Sequence, residues 1–200
     1  MKQNSLRSGF TLVELLVVIA IIALLSGLSA VAYGGFVRSA KKKQSQAIVN
    51  TLVAAIEQYH AEYGSFPPPV RTQTGAAFTF NTDSADMTIL LGELTGDNAT
   101  INYKDKNFLP LDDAKGGNNG ITRNAGGVAE TLVDPVGKPY TLIFNSNYDA
   151  NGIAIPSEYL RGTQTATDTV QAKVIIFNKG IMSASEESDA TAKDHVISWN

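Results

Sequence analysis

The sequence has no cysteine and only two histidines, His60 and His195, among its 200 residues. The lack of cysteine excludes disulfide bonds, thiol nucleophiles and thiolate metal sites. Two histidines are too few for a multi-histidine metal centre. The chain also has no basic excess: its net charge is -3 and its isoelectric point is about 5.4, whereas nucleic-acid-binding domains are usually basic. We therefore expect no nucleic acid among its partners.

Recognisable catalytic motifs are missing as well. The chain contains no G-x-S-x-G, no H-E-x-x-H, no P-loop and no Rossmann fingerprint. Carboxylates such as Asp112, Asp113 and Glu130 are scattered through loop-like sequence without an evident partner. We therefore expect a protein that is not an enzyme, and a membrane-anchored periplasmic enzyme is the weaker alternative.

What the sequence does have is one long apolar run near its start. Residues 1–9 are polar, and between Phe10 and Val37 the only charged residue is Glu14. A helix needs roughly 20 apolar residues to span a bilayer, whereas the apolar region of a signal peptide has about 7–15. The pattern predicts a transmembrane helix over residues 10–37 rather than a signal peptide.

Basic residues lie on both sides of this run. Lys2 and Arg7 precede it, and Arg38 and the three lysines at 41–43 follow it. Cytoplasmic flanks of membrane spans are usually the more basic ones, so charge alone does not decide the orientation. We interpret the three lysines as a solvated helix face or as a contact with lipid headgroups.

The helical pattern continues beyond the apolar run. Apolar residues recur at helical spacing between Ile48 and Tyr63, through Leu52, Ile56 and Tyr59. This spacing is typical of an amphipathic helix, and nothing between residues 38 and 48 breaks a helix. We predict one long helix from Phe10 to Tyr63, amphipathic over residues 38–63. A glycine at 64 and prolines at 67–69 should end it.

The remainder of the chain, residues 64–200, has the composition of a small β-rich domain. Short apolar segments at 77–80, 139–144 and 173–177 are strand-like. A short helix fits residues 85–94, and the Gly/Asn-rich stretch 115–127 reads as a loop. The predicted fold class is therefore α+β: a long N-terminal helix whose amphipathic half packs on a small C-terminal antiparallel sheet.

The junction between the polar start and the apolar run contains the most specific motif, Gly9-Phe10-Thr11-Leu12-Val13-Glu14. This stretch resembles the prepilin cleavage and methylation signature of type IV pilins and type II secretion pseudopilins. The resemblance implies that a prepilin peptidase cuts after Gly9 and methylates the amine of Phe10. It also implies a cytoplasmic leader over residues 1–9. The mature protein would then be a single-pass protein of the bacterial inner membrane, with its C-terminal domain in the periplasm and a pilin-like fold.

Glu14 is the one charged residue within the predicted transmembrane helix, where a charge is energetically unfavourable. A carboxylate at the centre of a membrane helix costs about 2.5–3.5 kcal/mol on insertion scales, so it needs a partner. In a bundle of such helices, Glu14 can pair with the Phe10 amine of a neighbouring copy and set the register between subunits. Two alternatives remain: a simple position at the helix N-terminus, which favours a carboxylate, or a contact with its own Phe10 amine.

Two further segments narrow the resemblance to the major pseudopilins of type II secretion. The helix end AIEQYHAEYGSFPP is one, and Asp134-Pro-Val-Gly-Lys-Pro-Tyr140 is the other, with Val136 and Lys138 replacing a tryptophan and an asparagine. The C-terminal segments IIFNKG and DHVISW are similar too. Residues 65–130 match poorly.

This resemblance implies a structural subunit of a pilus-like filament that serves protein secretion. The partners it implies are a prepilin peptidase, copies of the same chain, other pseudopilins, the inner-membrane secretion platform and the lipid bilayer. The alternative is a major or minor pilin of a surface type IV pilus, serving adhesion, motility or DNA uptake.

Calcium is the one cofactor that the resemblance raises. Major pseudopilins bind it in their final loop, but here Met182 stands where their pattern has an aspartate, which leaves Asp189 and Asp194 as candidate ligands. Calcium takes 6–8 oxygen ligands, so we expect no required cofactor. An EF-hand-like spacing from Asn147 to Glu158 is interpreted as a β-turn, because Pro156 interrupts it.

Overall fold

The structure is a computed structural model with an α+β architecture. The residues it describes are 10–72, 78–81, 84–97, 101–145, 152–159, 168–178 and 196–198. The chain divides into two units, Met1–Ala40 and Lys41–Asn200. The predicted α+β class, with a helix packed on small antiparallel sheets, is confirmed.

Helix α1 runs over Leu12–Tyr63, close to the predicted limits. It ends where predicted, because Gly64 adopts a left-handed conformation with φ +67° and donates its N–H to the His60 carbonyl at 2.9 Å. A left-handed glycine is a common way to end a helix. The prolines that follow cannot donate the backbone hydrogen bonds that would continue it.

The part of α1 in the first unit has an apolar surface that faces outward. Its large hydrophobic side chains between Phe10 and Leu25 are 44–86% exposed. Within the described residues, no helix combines the length and the apolarity that crossing a membrane requires. The transmembrane character of residues 10–37 stays a prediction.

In the second unit, α1 buries the predicted stripe. Ile48, Leu52, Ile56 and Tyr59 are each at most 6% exposed, and Tyr63 packs partly buried against the same core. The second helix, α2, spans Ala85–Thr95 and buries Met87 and three leucines in that core. The predicted amphipathic helix and the predicted short helix are both confirmed.

A four-stranded antiparallel sheet forms the centre of the second unit. Its strand order is β1-β4-β7-β8, with β1 at Phe78–Asn81, β4 at Thr141–Phe144, β7 at Val174–Asn178 and β8 at Val196–Ile197. The three predicted strand-like segments coincide with β1, β4 and β7 to within two residues at each end. A separate pair, β5 (Ile153–Ala154) and β6 (Thr169–Val170), is also antiparallel.

Both faces of this sheet are covered. Leu142, Phe144 and Ile176 belong to the core shared with the helices, and Tyr140 belongs to the same core. Their neighbours Ile143 and Ile175 belong to a second cluster that includes residues of the β5 segment. Because successive side chains of a strand point to opposite faces, a strand covered on both sides reads as a continuous apolar run. This explains the composition of β7.

The predicted loop over 115–127 is wrong for residues 120–123. Strand β2 (Gly120–Arg123) pairs with β3 (Ala129–Val133), and Ile121 lies opposite Leu132 with 1% exposure. Glu130, expected in a loop, lies in β3. Strand β2 is too short to show an alternation of apolar and polar residues. The glycines before β2 supply positive φ angles for the turn that leads into it. Strand β3 in turn packs against α2.

Candidate processing and assembly site

The first turn of α1 is closed by a reciprocal pair of hydrogen bonds between Thr11 and Glu14. The Glu14 backbone N–H donates to Thr11 Oγ1 at 3.2 Å, and the Thr11 backbone N–H donates to Glu14 Oε2 at 2.9 Å. The Thr11 hydroxyl also donates to Glu14 Oε2 at 2.8 Å. This arrangement is a capping box, in which residues three apart satisfy each other's free backbone donors.

The capping box was readable from the sequence but was missed. Threonine followed three residues later by glutamate, directly before an apolar run, is its signature. In this uncut chain the described bonds of Glu14 go to Thr11, at the helix N-terminus.

The surroundings of Glu14 are apolar and open. Phe10, Leu12 and Val13 are 79%, 86% and 70% exposed. Among the described residues, Glu14 Oε1 accepts no hydrogen bond, since both side-chain bonds go to Oε2. Further along the helix, the Ser26 hydroxyl donates to the Ile22 carbonyl at 2.7 Å, so that polar group is satisfied within the helix. Within the described part of the chain, Glu14 Oε1 is therefore left without a hydrogen-bond donor.

Several predicted site residues lie outside the described part of the chain. These are Gly9, the candidate calcium ligands Asp189 and Asp194, Met182, and the EF-hand-like positions 147–151. The structure therefore places Phe10 and Glu14 but not the cleavage junction or the final loop. In the described ranges, no group of three or more histidine, aspartate or glutamate side chains is positioned to hold a metal ion.

One buried carboxylate in the second unit, that of Glu93, accepts hydrogen bonds at both of its oxygens. Glu93 of α2 is 0% exposed and accepts the N–H groups of Ile101 and Asn102, both at 2.9 Å, and the Tyr59 hydroxyl at 3.2 Å. Burial and the negative charge of Glu93 raise the pKa of the Tyr59 hydroxyl, so it stays protonated and donates. Buried polar groups of this kind are structural when every partner is present. Glu93 therefore fixes the loop after α2 and offers no free group for catalysis.

The segment from Asp134 to Tyr140 forms a turn that is closed by hydrogen bonds to the Asp134 side chain. Asp134 Oδ1 accepts the N–H groups of Val136 at 2.9 Å and Lys138 at 2.8 Å, which closes the turn. Burial raises the pKa of the Asp134 carboxyl, although these N–H groups favour its charged form. Tyr140 Oη bonds Ser45 Oγ of α1 at 2.8 Å. The turn thus connects the sheet to α1 and has a structural role in the second unit.

The comparisons with known proteins bear on the first turn of α1. Residues 4–30 match the family model of the prokaryotic N-terminal methylation motif. The matched range includes Gly9, Phe10 and Glu14. No solved structure gives a significant match to the chain.

The curated relatives that the chain resembles are fimbrial proteins and type IV pilins. The chain is 30% identical over 80 residues to a fimbrial protein of Neisseria meningitidis, covering 40% of this chain and 45% of the relative. It is 31% identical over 74 residues to the type IV major pilin protein PilE of Neisseria gonorrhoeae, covering 37% and 44%. The chain thus spans less than half of these relatives. The predicted type IV pilin-like resemblance is confirmed, and the narrower resemblance to pseudopilins is not.

Proposed function

We propose that this protein is a structural subunit of a pilus-type filament, made as a prepilin and not itself an enzyme. The observation that supports this most directly is a single carboxylate, Glu14, at the start of a helix whose neighbouring side chains are apolar and exposed. A surface of that kind needs a covering partner. The matched methylation motif supplies the processing step that frees an amine four residues before Glu14.

The proposed assembly step pairs two copies of the chain. Cleavage between Gly9 and Phe10 exposes a cationic amine at the start of the mature helix. When helices pack together, Glu14 Oε1 of one copy accepts a hydrogen bond from the Phe10 amine of the next, while Oε2 stays with Thr11. A charge buried without a partner is costly, so this pair fixes the axial register of the subunits.

Before assembly, the first part of α1 anchors the chain in the bacterial inner membrane as a single-pass helix. The support is the exposed apolar surface between Phe10 and Leu25 and the motif that precedes it. In this arrangement the leader of residues 1–9 is cytoplasmic, where the prepilin peptidase acts, and the second unit is periplasmic.

The proposed filament is a type II secretion pseudopilus, on the likeness of the segment Asp134–Tyr140 to major pseudopilins. Its further partners are then other pseudopilins and the inner-membrane secretion platform. The second candidate is a surface type IV pilus, which the similarity to fimbrial and pilin proteins favours. Neighbouring genes separate the two: a secretin and a secretion ATPase accompany an export system, whereas a retraction ATPase accompanies a pilus.

Processing gives the direct test of this proposal. Mass spectrometry of the membrane-extracted protein should show a mature N-terminus at an N-methylated Phe10. Gly9→Val should leave only the uncut chain, because a branched side chain at the scissile bond obstructs the peptidase where glycine has no Cβ. The matched control is Gly27→Val, since a Cβ added at Gly27 of α1 meets no atom within 4 Å, and it should be cut normally. An intact Met1, or a cut after Ala30 or Ala32, contradicts the proposal.

We further propose that calcium is not required, because Met182 occupies a ligand position of the final loop. A saturated site stabilises a protein by about 2.7 kcal/mol at 100 times its Kd, which corresponds to roughly 5–10 °C in Tm for a chain of this size. The expected rise on adding millimolar calcium is under about 2 °C, no larger than with magnesium. A calcium-specific rise of many degrees contradicts this expectation and points to Asp189 and Asp194.

A further inference from the structure

Two buried oxygens lie where residues 117–119, before β2, pack on the turn at 134–138, after β3. They are Asn119 Oδ1 and Asp134 Oδ2, and Asp134 is 0% exposed. The Asp134 carbonyl accepts the Asn119 backbone N–H at 2.7 Å, so the two residues are direct neighbours. Among the described residues, these are the only buried side-chain oxygens that accept no hydrogen bond.

The local backbone fixes both side chains. Asp134 Oδ1 is occupied by the N–H groups of Val136 at 2.9 Å and Lys138 at 2.8 Å, so these bonds leave Oδ2 as the second oxygen of the carboxylate. Asn119 has φ +58°, a left-handed conformation that asparagine adopts more readily than most residues. Because a buried acceptor without a donor is destabilising, we expect a donor at each of the two oxygens.

The charges around Asp134 decide what kind of molecule can supply those donors. Burial raises the pKa of the Asp134 carboxyl, but two backbone N–H groups, the charge of Lys138 and the Asn178 amide favour its charged form. The Lys138 Nζ atom is buried as well. A metal cation would therefore add a second positive charge beside the ammonium group, and an anion would face the carboxylate. A neutral molecule with two donors fits both oxygens.

We propose that one ordered water molecule binds between Asp134 Oδ2 and Asn119 Oδ1 and donates a hydrogen bond to each. Its oxygen can accept a hydrogen bond from the Lys138 ammonium group. Buried waters typically make about three hydrogen bonds to buried polar groups. The water ties residues 117–119 to the turn, and the same turn contacts α1 through the bond between Tyr140 and Ser45. The site lies within the second unit and does not depend on the proposed filament.

Crystals of the full chain in detergent, at a resolution that shows ordered water, test the site directly. We expect one density peak within about 3.2 Å of both oxygens. In solution, the same water should give the nuclear Overhauser effects of a long-lived bound molecule to N–H groups of residues 134–138. Exchanging sodium for potassium or choline in the buffer should leave Tm unchanged to within about 1 °C, because no cation is bound.

The variants Asn119→Gln and Asn119→Leu form a matched pair. Both lose the tolerance of asparagine for the left-handed conformation, so they share the same backbone strain. Only glutamine has an amide on a side chain long enough to take the place of the water and donate to Asp134 Oδ2. We expect the density peak to vanish in the glutamine variant, and its Tm to exceed that of the leucine variant by at least about 3 °C.

Four results overturn the inference. The first is a wild-type structure with no peak between the two oxygens. The second is a direct contact between the two side chains, closer than about 3.5 Å, through a flipped Asn119 amide or a protonated Asp134. The third is a metal cation at the site, or a Tm that follows the cation in the buffer. The fourth is a glutamine variant that keeps the peak and is no more stable than the leucine variant. If neither variant folds, the wild-type density and Overhauser effects decide.

Discussion

Replacing Glu14 with alanine should leave leader cleavage intact and lower the yield of filaments by at least about a hundredfold. Removing one member of a buried ion pair costs about 3–5 kcal/mol, because the other charge stays buried alone. Every 1.36 kcal/mol corresponds to a factor of ten. Cleavage should persist because it depends on Gly9 and the apolar run. The measurement compares sheared filaments with membrane-retained protein at equal expression.

Two further variants separate pairing between copies from capping within one copy. Glu14→Gln keeps a capping box, in which glutamine is also accepted, but removes the charge, so it should fail to assemble. Thr11→Ala removes the hydroxyl that bonds Glu14 Oε2 and costs about 1 kcal/mol of helix stability, so it should still form filaments. If instead Glu14→Gln assembles normally while Thr11→Ala and Glu14→Ala are equally impaired, the carboxylate is only a cap.

The features predicted correctly are those that local spacing encodes. The stripe from Ile48 to Tyr63 appears at helical intervals, and the structure buries it. Strands β4 and β7 are apolar runs of strand length, and Gly64 ends α1 through a conformation that glycine adopts easily. The capping box is equally local. Its signature, Thr11 followed three residues later by Glu14 and then by the apolar run, involves no distant residue.

The other features that were missed depend on contacts with residues outside their own strand or helix. Strand β2 has few residues, and only its pairing with β3 distinguishes it from the surrounding Gly/Asn-rich turn. Glu93 lies in a helix that was predicted correctly, yet its burial depends on Ile101 and Asn102 from the following loop and on Tyr59 of α1. From the sequence alone, a glutamate in a helix is predicted to be exposed, because a carboxylate is rarely buried without donors to pair with it.

Glu93→Ala should therefore be the most destabilising of the single substitutions considered for the second unit. Its removal leaves the N–H groups of Ile101 and Asn102 and the Tyr59 hydroxyl without their acceptor. A buried donor without a partner costs about 1–3 kcal/mol, so we expect a loss of about 3 kcal/mol or more. That is a large share of the 5–15 kcal/mol by which a domain is typically stable. Urea denaturation in detergent, followed by the near-ultraviolet circular dichroism of the tyrosines, measures it.

The controls for this prediction change one property each. Glu57→Ala removes an exposed carboxylate of α1 and should change stability by less than about 0.5 kcal/mol. Tyr59→Phe removes one of the three donors and should cost about 1 kcal/mol. Glu93→Gln keeps the shape of the side chain but turns one acceptor into a donor that faces other donors, so it should fall between Tyr59→Phe and Glu93→Ala. If Glu93→Ala is no more destabilising than Glu57→Ala, the carboxylate does not hold the loop after α2, and that loop is fixed by the Asn102 side chain and its neighbours instead.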